Sequence, residues 1–306
     1  MGNARAVLLI HGGAGVIRQD TEAAGHAVRD ALADALRAGH AELRAGGSAT
    51  DAVCAAVAVL EDAPHFNAGR GAVFTHEGGN ELDAAVMDGV TLRAGAVAGV
   101  RQVRNPVLLA RAVMEHSPHV MLSREGAEAF ARQRSIELAD PDWFHTEGRW
   151  RQLQDAQADE ARGEPQTRDY FGTVGAVALD AHGRLAAATS TGGMTNKRWG
   201  RVGDSPIIGA GTYANAQCAV SCTGHGEFYI RMAAAHTICM RVAELHQSVA
   251  EAAEQVVNRA IPELGGSGGA IVLGADGNFA MPFNTEGMYR GRIGVDGAPH
   301  VAIWRE

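Results

Sequence analysis

The chain has 306 residues, 46% of them hydrophobic, and a formal net charge of −8. That length suits one large domain or two, and the apolar content is ample for a buried core without staples. The negative balance disfavours nucleic acid and anionic membranes as partners, because both are polyanions that would repel it.

Cys54, Cys218, Cys222 and Cys239 match neither a zinc ribbon nor a CxxC redox pair, so they are read as buried reduced thiols. Met1 to Ala6 is short and polar and runs into Val7-Leu8-Leu9-Ile10, too brief for a secretory h-region. No apolar run approaches the roughly 18 residues that span a bilayer. The expectation is a soluble, cytoplasmic protein.

Ala6 to Ile10 is an apolar run stopped by His11-Gly12-Gly13-Ala14-Gly15, which predicts a buried strand entering a tight loop. From about Glu22 to Ala45, Ala27, Ala31 and Ala35 with Leu32 and Leu36 recur at helical spacing, and Gly46-Gly47 closes the helix. Ser48 to Asp51 offers capping groups for a second helix through Ala52 to Leu60. Phe66 to Phe74, with Asn67, Gly69 and Gly71, reads as a loop leading to a strand, and Leu82 to Met87 and Ala94 to Val100 read as short strands. Helical patterns follow from about Val107 to His116, behind Asn105-Pro106, and from Glu125 to Arg134.

From about Thr146 to Arg168 the chain is polar, with Gly163, Pro165 and little periodicity, and reads as a mobile linker. Gly172 to Asp180 is a strand-like run joined through Asp180-Ala181-His182-Gly183 to a second, Leu185 to Ala188, predicting a hairpin. Glu227 to Leu245 reads as one long helix, and Ala270 to Gly274 with Asn278 to Met281 as a last hairpin around Asp276-Gly277. Helices and hairpins without regular βαβ alternation favour antiparallel sheets packed with helices over a doubly wound parallel sheet.

One feature asks for a chemical reading: a polar linker gives way at Gly172 to a strand that begins with Thr173. A threonine hydroxyl is a poor nucleophile without a base beside it, and one source of a base is the residue's own α-amine. A free α-amine has a pKa of roughly 7.7–8.0, near what a general base needs at neutral pH. In an intact chain that nitrogen is an amide, so cutting between Gly172 and Thr173 would switch the activity on. Gly172, lacking a Cβ, suits close approach of the Thr173 hydroxyl to the preceding carbonyl. Downstream, hydroxyls and glycine-flanked N–H groups in Thr189–Asn196 and Cys222–Glu227 are what an oxyanion hole requires. Arg201 and Asp204 are a cation and an anion able to clamp the α-carboxylate and α-ammonium of an amino acid.

Taken singly these residues have plainer readings. Gly172-Thr173 suits a strand start, Arg201–Asp204 a surface ion pair, Thr191 and Thr223 strand hydroxyls satisfying backbone, and His11 a buried histidine after a strand. The thirteen histidines form no HExxH or similar spacing, so no catalytic metal is expected. HGGAG lacks the GxGxxG pattern and βαβ setting of a dinucleotide loop.

In combination, the chain resembles the plant-type asparaginase and isoaspartyl peptidase family of N-terminal-nucleophile hydrolases, particularly its bacterial members. The carrying segments are HGGAG (11–15), LEDAPHFNAGRGAVF (60–74), ELDAAVMDG (81–89), GTVGAVALD (172–180), TSTGGMTNKRWGRVGDSPIIGAGTYA (189–214), SCTGHGE (221–227) and PFNTEGMYRG (282–291), in family order over nearly the whole chain. The resemblance implies a four-layer αββα sandwich of mostly antiparallel sheets. It implies one structural domain that self-cleaves into subunits 1–172, with a mobile linker at about 146–172, and 173–306.

It also implies roles. Thr173 would be the nucleophile, with Thr191 bonded to it. Arg201 and Asp204 would hold the substrate's α-carboxylate and α-amine, and Gly226 would lend a carbonyl near that amine. Thr223 and the Gly224 N–H would form the oxyanion hole, and Asn67 would be the asparagine contributed by the N-terminal subunit. Carbonyls of Leu60, Glu61, Ala63, Phe66, Ala68 and Arg70 would cradle a structural sodium, with no cofactor for catalysis.

The implied activity is hydrolysis of β-aspartyl dipeptides and L-asparagine, by a dimer of cleaved heterodimers. Three departures stand out: Phe171 where bacterial relatives often carry methionine, a short linker, and His225 where some relatives carry a small polar residue. Two rival readings are a glycosylasparaginase of the same superfamily, against which the expected cytoplasmic character argues, and a small-molecule binder that never matures.

Overall fold

The computed structural model describes residues 7–15, 22–163 and 172–305. Strand β1 (Val7–Gly15) leads to helices α1 (Glu22–Arg44) and α2 (Ala49–Asp62), then strands β2 (Leu82–Asp88) and β3 (Ala94–Val100). Helix α3 (Pro106–His116), the short strand β4 (Met121–Ser123) and helices α4 (Arg124–Gln133) and α5 (Glu147–Ala161) follow. The second half opens with the hairpin β5 (Val174–Leu179) and β6 (Leu185–Thr191), then β7 (Thr212–Ala214), β8 (Cys218–Gly224), α6 (Gly226–Met232) and α7 (Ala234–Leu245). After α8 (Val249–Gln255) and α9 (Ile261–Glu263), the strands β9 (Gly268–Gly274), β10 (Phe279–Ala280), β11 (Gly287–Ile293) and β12 (His300–Ala302) complete the described chain.

The strands form an eight-stranded sheet, ordered β12-β11-β1-β5-β6-β2-β3-β4, and a four-stranded sheet, ordered β10-β9-β8-β7. Pairing is antiparallel except between β3 and β4. Strand alternation assigns each residue to one of two faces. Leu8, Ile10, Val174, Ala176, Ala186 and Ala188 face out of the large sheet and pack with Leu32 and Leu36 of α1, Val53 and Val57 of α2, and Val107 and Val113 of α3. Val220, Cys222, Ala270 and Val272 face out of the small sheet and pack with Ile238 and Cys239 of α7 and Ala252 and Ala253 of α8. The intervening residues, Leu9, Val177, Leu179, Leu185, Ala187, Ala219, Ile271 and Leu273, fill the seam between the sheets. The result is the expected αββα sandwich, in which every cysteine is a buried free thiol. No helix among the described residues is long and apolar enough to cross a membrane.

Three local expectations are corrected. β1 does not turn at the glycines but runs through them to Gly15, with a bulge at Gly12. The region read as an unstructured linker contains α5, whose weak apolar periodicity (Leu153 is its one buried residue) is offset by contacts from outside the helix. The Arg149 Nε donates to Gly71 O at 2.9 Å, Gln152 to Thr195 Oγ1 at 2.7 Å and Gln157 to His76 O at 2.9 Å, while Trp150 packs on Phe74. The remainder of that linker, 164–171 with Phe171, lies outside the described residues, as does Met1–Ala6. The single helix expected over Glu227 to Leu245 is two, broken at Ala233, which adopts φ 44° and ψ 51°. The break lets the first N–H groups of α7 find carbonyls elsewhere, Ala235 N on Ala210 O and His236 N on Gly209 O. The capping reading of Ser48 holds: Asp51 N donates to Ser48 Oγ at 3.1 Å and Ser48 N to Asp51 Oδ2 at 2.8 Å.

Candidate active site

Thr173 stands just ahead of β5 and is 7% exposed. It shares the seam-facing parity of Val177 and Leu179, so its side chain enters the space between the sheets. There its hydroxyl donates to Thr191 Oγ1 at 2.9 Å, and Thr191 Oγ1 also accepts from Gly193 N at 3.0 Å. The Gly172 carbonyl accepts from Asn67 N at 3.0 Å.

The glycines at the end of β1 leave room for the peptide ahead of β5. A Cβ on Gly13, which has φ +110°, would lie 2.4 Å from Gly172 Cα, so a side chain there would strike the peptide preceding Thr173. Two residues earlier, His11 Nδ1 lies 2.9 Å from Thr173 O, and one residue later Ala14 N donates to Thr223 Oγ1 at 3.3 Å. The same strand thus touches the threonine just ahead of β5 and the threonine near the end of β8. His11 is fully buried, which pushes its pKa down to about 3 against the raising effect of the Thr173 carbonyl, so the imidazole is neutral near pH 7.

Asn67 is fully buried and its side chain is committed: Nδ2 donates to Gly193 O at 2.7 Å and Oδ1 accepts from Val73 N at 2.9 Å. Its main chain meets Gly172, while its side chain ties the 66–74 loop to the turn beside Thr191.

Arg201 and Asp204 are neighbours without being an ion pair of the surface kind. Arg201 Nε and Nη2 grip Glu227 at 2.9 and 2.8 Å, with the Arg201 side chain only 18% exposed. Burial works against ionisation of Glu227, yet its bonds to Arg201 and that residue's charge outweigh it and lower its pKa. Asp204 is buried, and its Oδ2 has no hydrogen-bond partner among the described residues. Burial pushes the Asp204 carboxyl up to about 7, with the Arg201 charge pulling the other way. Gly226 separates the two: a Cβ there would lie 2.8 Å from Asp204 Oδ1 and 2.9 Å from Arg201 Nη2. Gly224, at the end of β8, pairs with Gly268, and His225 beyond it packs edge-on against Phe228 and lies 3.4 Å from a Glu227 oxygen.

The segment whose carbonyls are expected to hold sodium packs closely on itself at its glycines. A Cβ on Gly69 would lie 2.4 Å from Glu61 O, and one on Gly71 would lie 2.1 Å from Phe66 O. The Arg70 guanidinium turns away, stacked 4.6 Å over Trp143. No cluster of His, Cys, Asp and Glu suited to a metal occurs among the described residues.

The structure brings Thr173, Thr191, Asn67 and Gly172 into direct contact, and places Arg201, Asp204 and Gly226 together. Ser221, Thr189, Thr212 and Glu227 join these groups although the sequence, which placed them in motif segments, gave none of them a role of its own. The glutamate was visible as the end of SCTGHGE; the three hydroxyls look like ordinary strand residues.

The layers and the buried threonine behind a glycine are those of an N-terminal-nucleophile hydrolase sandwich. Within that class the chain belongs to the asparaginase family, whose model matches residues 4–303. It is 53% identical to an isoaspartyl peptidase of Escherichia coli, over 99% of this chain and 97% of that one. It is 51% identical to an isoaspartyl peptidase of Salmonella typhimurium, over 99% of each. A mouse isoaspartyl peptidase/L-asparaginase is 43% identical over 92% of this chain and 86% of its own.

Proposed function

We propose that the chain cuts itself before Thr173 and then hydrolyses β-aspartyl dipeptides and L-asparagine to aspartate. The observation that carries this reading is the buried Thr173 hydroxyl, bonded to Thr191 and placed directly behind Gly172. Family membership and the names of the relatives support the same substrates.

In self-cleavage, Thr173 Oγ attacks the Gly172 carbonyl carbon. The carbonyl oxygen becomes an oxyanion facing the Asn67 N–H, the hydroxyl proton passes to the peptide nitrogen, which leaves as the Thr173 amine, and water hydrolyses the resulting ester. The new amine is a base attached to the nucleophile itself, and Thr191 orients the hydroxyl between them. In hydrolysis, Asp204 receives the substrate α-ammonium, an ideal partner for a buried carboxylate oxygen that lacks one. Glu227 uses the Nε edge of Arg201, leaving N–H groups on Nη1 and Nη2 for the substrate α-carboxylate.

The Thr173 amine takes the hydroxyl proton, and Oγ attacks the side-chain carbonyl. Thr223 and the Gly224 N–H stabilise the oxyanion, an effect of roughly 3–4 kcal/mol per donor in comparable sites. The amine returns the proton to the departing ammonia or amino acid, and water then releases aspartate from the β-aspartyl ester. Holding both α-groups excludes ordinary α-peptides, whose α-carboxyl is already in the bond.

The resemblance suggests that the carbonyls of Leu60, Glu61, Ala63, Phe66, Ala68 and Arg70 would hold a structural sodium, since main-chain oxygens suit a hard cation. Sodium bound there would brace the segment carrying Asn67 and take no part in bond-making. The reading also includes a cytoplasmic dimer of cleaved heterodimers.

The test is a substrate panel on purified, cleaved protein. Aspartate is expected from β-aspartyl-leucine and asparagine. Turnover of a glycosylated asparagine alone would favour the glycosylasparaginase reading. A chain that stays as one band on denaturing gels under all incubations and releases nothing would favour the binder.

A further inference from the structure

Thr173 presents a mechanical problem once the bond behind it is broken. First residues of chains ordinarily fray, and Thr173 precedes Val174, the first ladder-paired residue of β5. Yet a nucleophile must hold its place against the clamp to a fraction of an ångström.

A buried line of side chains runs from one to the other. His11 Nδ1 meets Thr173 O at 2.9 Å, His11 Nε2 meets Ser221 Oγ at 2.8 Å, and Ser221 Oγ meets Thr189 Oγ1 at 2.7 Å. Thr212 Oγ1 then lies 2.7 Å from Thr189 Oγ1 and 3.0 Å from Ser205 O, the carbonyl next to Asp204. All four residues are fully buried, and they come from β1, β8, β6 and β7, so the line crosses both sheets.

Its proton order is forced. A carbonyl only accepts, so Nδ1 carries the proton of the neutral imidazole and Nε2 accepts from Ser221. The Ser221 proton being spent, Thr189 donates to Ser221 at 2.7 Å, with the Gly211 carbonyl a longer second acceptor at 3.3 Å, and Thr212 donates to Thr189 while sharing its proton with Ser205 O. The links from Thr212 through Thr189, Ser221 and His11 all point toward Thr173, the arrangement in which successive bonds polarise one another, and only the Thr212–Ser205 contact points the other way. Space is reserved for it: a Cβ on Gly175 would lie 2.0 Å from Ser221 Oγ and 2.5 Å from His11 Nε2.

We propose that His11, Ser221, Thr189 and Thr212 form a positioning chain that holds the Thr173 main chain and the Asp204 turn in one frame. It keeps nucleophile and clamp at a fixed separation after cleavage. None of the four touches the substrate. The inference rests on the nucleophile and clamp roles proposed above.

The test replaces the middle of the line without emptying it. Thr189→Val keeps the shape and removes the hydroxyl, whereas Thr189→Ser keeps the hydroxyl. For β-aspartyl-leucine, measured per cleaved and folded molecule, Thr189→Val is expected to lower kcat about 10–100-fold while KM stays within about twofold. Thr189→Ser should restore kcat to within about threefold of the parent, whatever either change does to the denaturation midpoint. A Thr189→Val chain that stays uncut while Thr189→Ser is cut supports the proposal equally, since both reactions use the same hydroxyl.

Should Thr189→Val not fold, Ser221→Ala decides in its place, with a kcat loss of about 3–10-fold at unchanged KM. A parent-like kcat in the folded variant, or a Thr189→Ser no better than Thr189→Val, overturns the inference. If the parent protein itself releases no aspartate, the proposed function fails; if it does and the variants match it, only the positioning chain fails.

Discussion

At one end of the seam between the sheets, Leu9, Val177, Leu179, Leu185, Ala187, Ala219 and Leu273 close on one another without a polar atom in their side chains. At the other end the same strands, with the same alternation, present His11, Thr173, Thr189, Thr191, Ser221 and Thr223, all 7% exposed or less. The change from Leu9 to His11, from Ala187 to Thr189 and from Ala219 to Ser221 takes two residues on each strand. The active end is therefore the core continued in another alphabet, and it inherits the rigidity of the sandwich. Burying so many hydroxyls is tolerable because they bond to one another and to backbone. Asp204 Oδ2 is one of several buried side-chain oxygens without a partner among the described residues, Ser190 Oγ, Ser205 Oγ and Asp83 Oδ2 among the others, and it sits where the substrate amine is proposed to bind.

If the two ends divide labour in this way, changes at the polar end should strike activity and changes at the apolar end stability. The largest effect belongs to Thr173→Ala, which should leave the chain uncut on denaturing gels and lower aspartate release by at least about 10⁴-fold. Thr223→Val should lower kcat by about 10²–10³-fold, the loss typical of one oxyanion donor. Arg201→Ala should still be cut but raise KM for asparagine by about 100-fold, and an unchanged KM would refute the clamp. At the apolar end, Leu179→Ala should cost about 2–5 kcal/mol in denaturant titrations and leave kcat per folded molecule unaltered.

Asp204 ties the polar end to stability through its charge. Burial raises the Asp204 pKa from 3.8 to about 7, so the fold disfavours its ionised form. The stability tied to its protonated form is fully present below pH 3.8 and is lost as pH rises through about 7. Asp204→Asn should then match the parent in acid and exceed it by about 1–3 kcal/mol above neutrality, a Tm rise of roughly 2–4 °C per kcal/mol. It should do so while losing substrate affinity. In the parent, kcat/KM should fall as pH drops below about 7, because the ammonium needs the carboxylate.

Much of this was readable from the chain. Short apolar runs bounded by glycines and turn residues located β2, β3, β5 and β6, helical spacing located α1 to α4, and the Gly172-Thr173 junction drew attention through the chemistry of a freed amine. What was hidden depends on contacts distant in sequence. Helix α5 lacks a strong apolar stripe and is held by Gly71, His76 and Thr195. The break at Ala233 exists because carbonyls at 209 and 210 receive the start of α7. The partners of His11 lie 162 and 210 residues away, and Ser221, Thr189 and Thr212 gain meaning only when two sheets face each other. Arg201 was legible as a cation near a site, but its hold on Glu227 required the fold.

The central claim is that a hydroxyl built into the core acquires its own base when the preceding amide is broken. Edman sequencing of active protein, run beside intact masses, tests it most directly. Two chains are expected, one of them beginning Thr-Val-Gly-Ala at residue 173, with activity rising in step with that chain. Full activity from material in which no chain begins at Thr173 would contradict it.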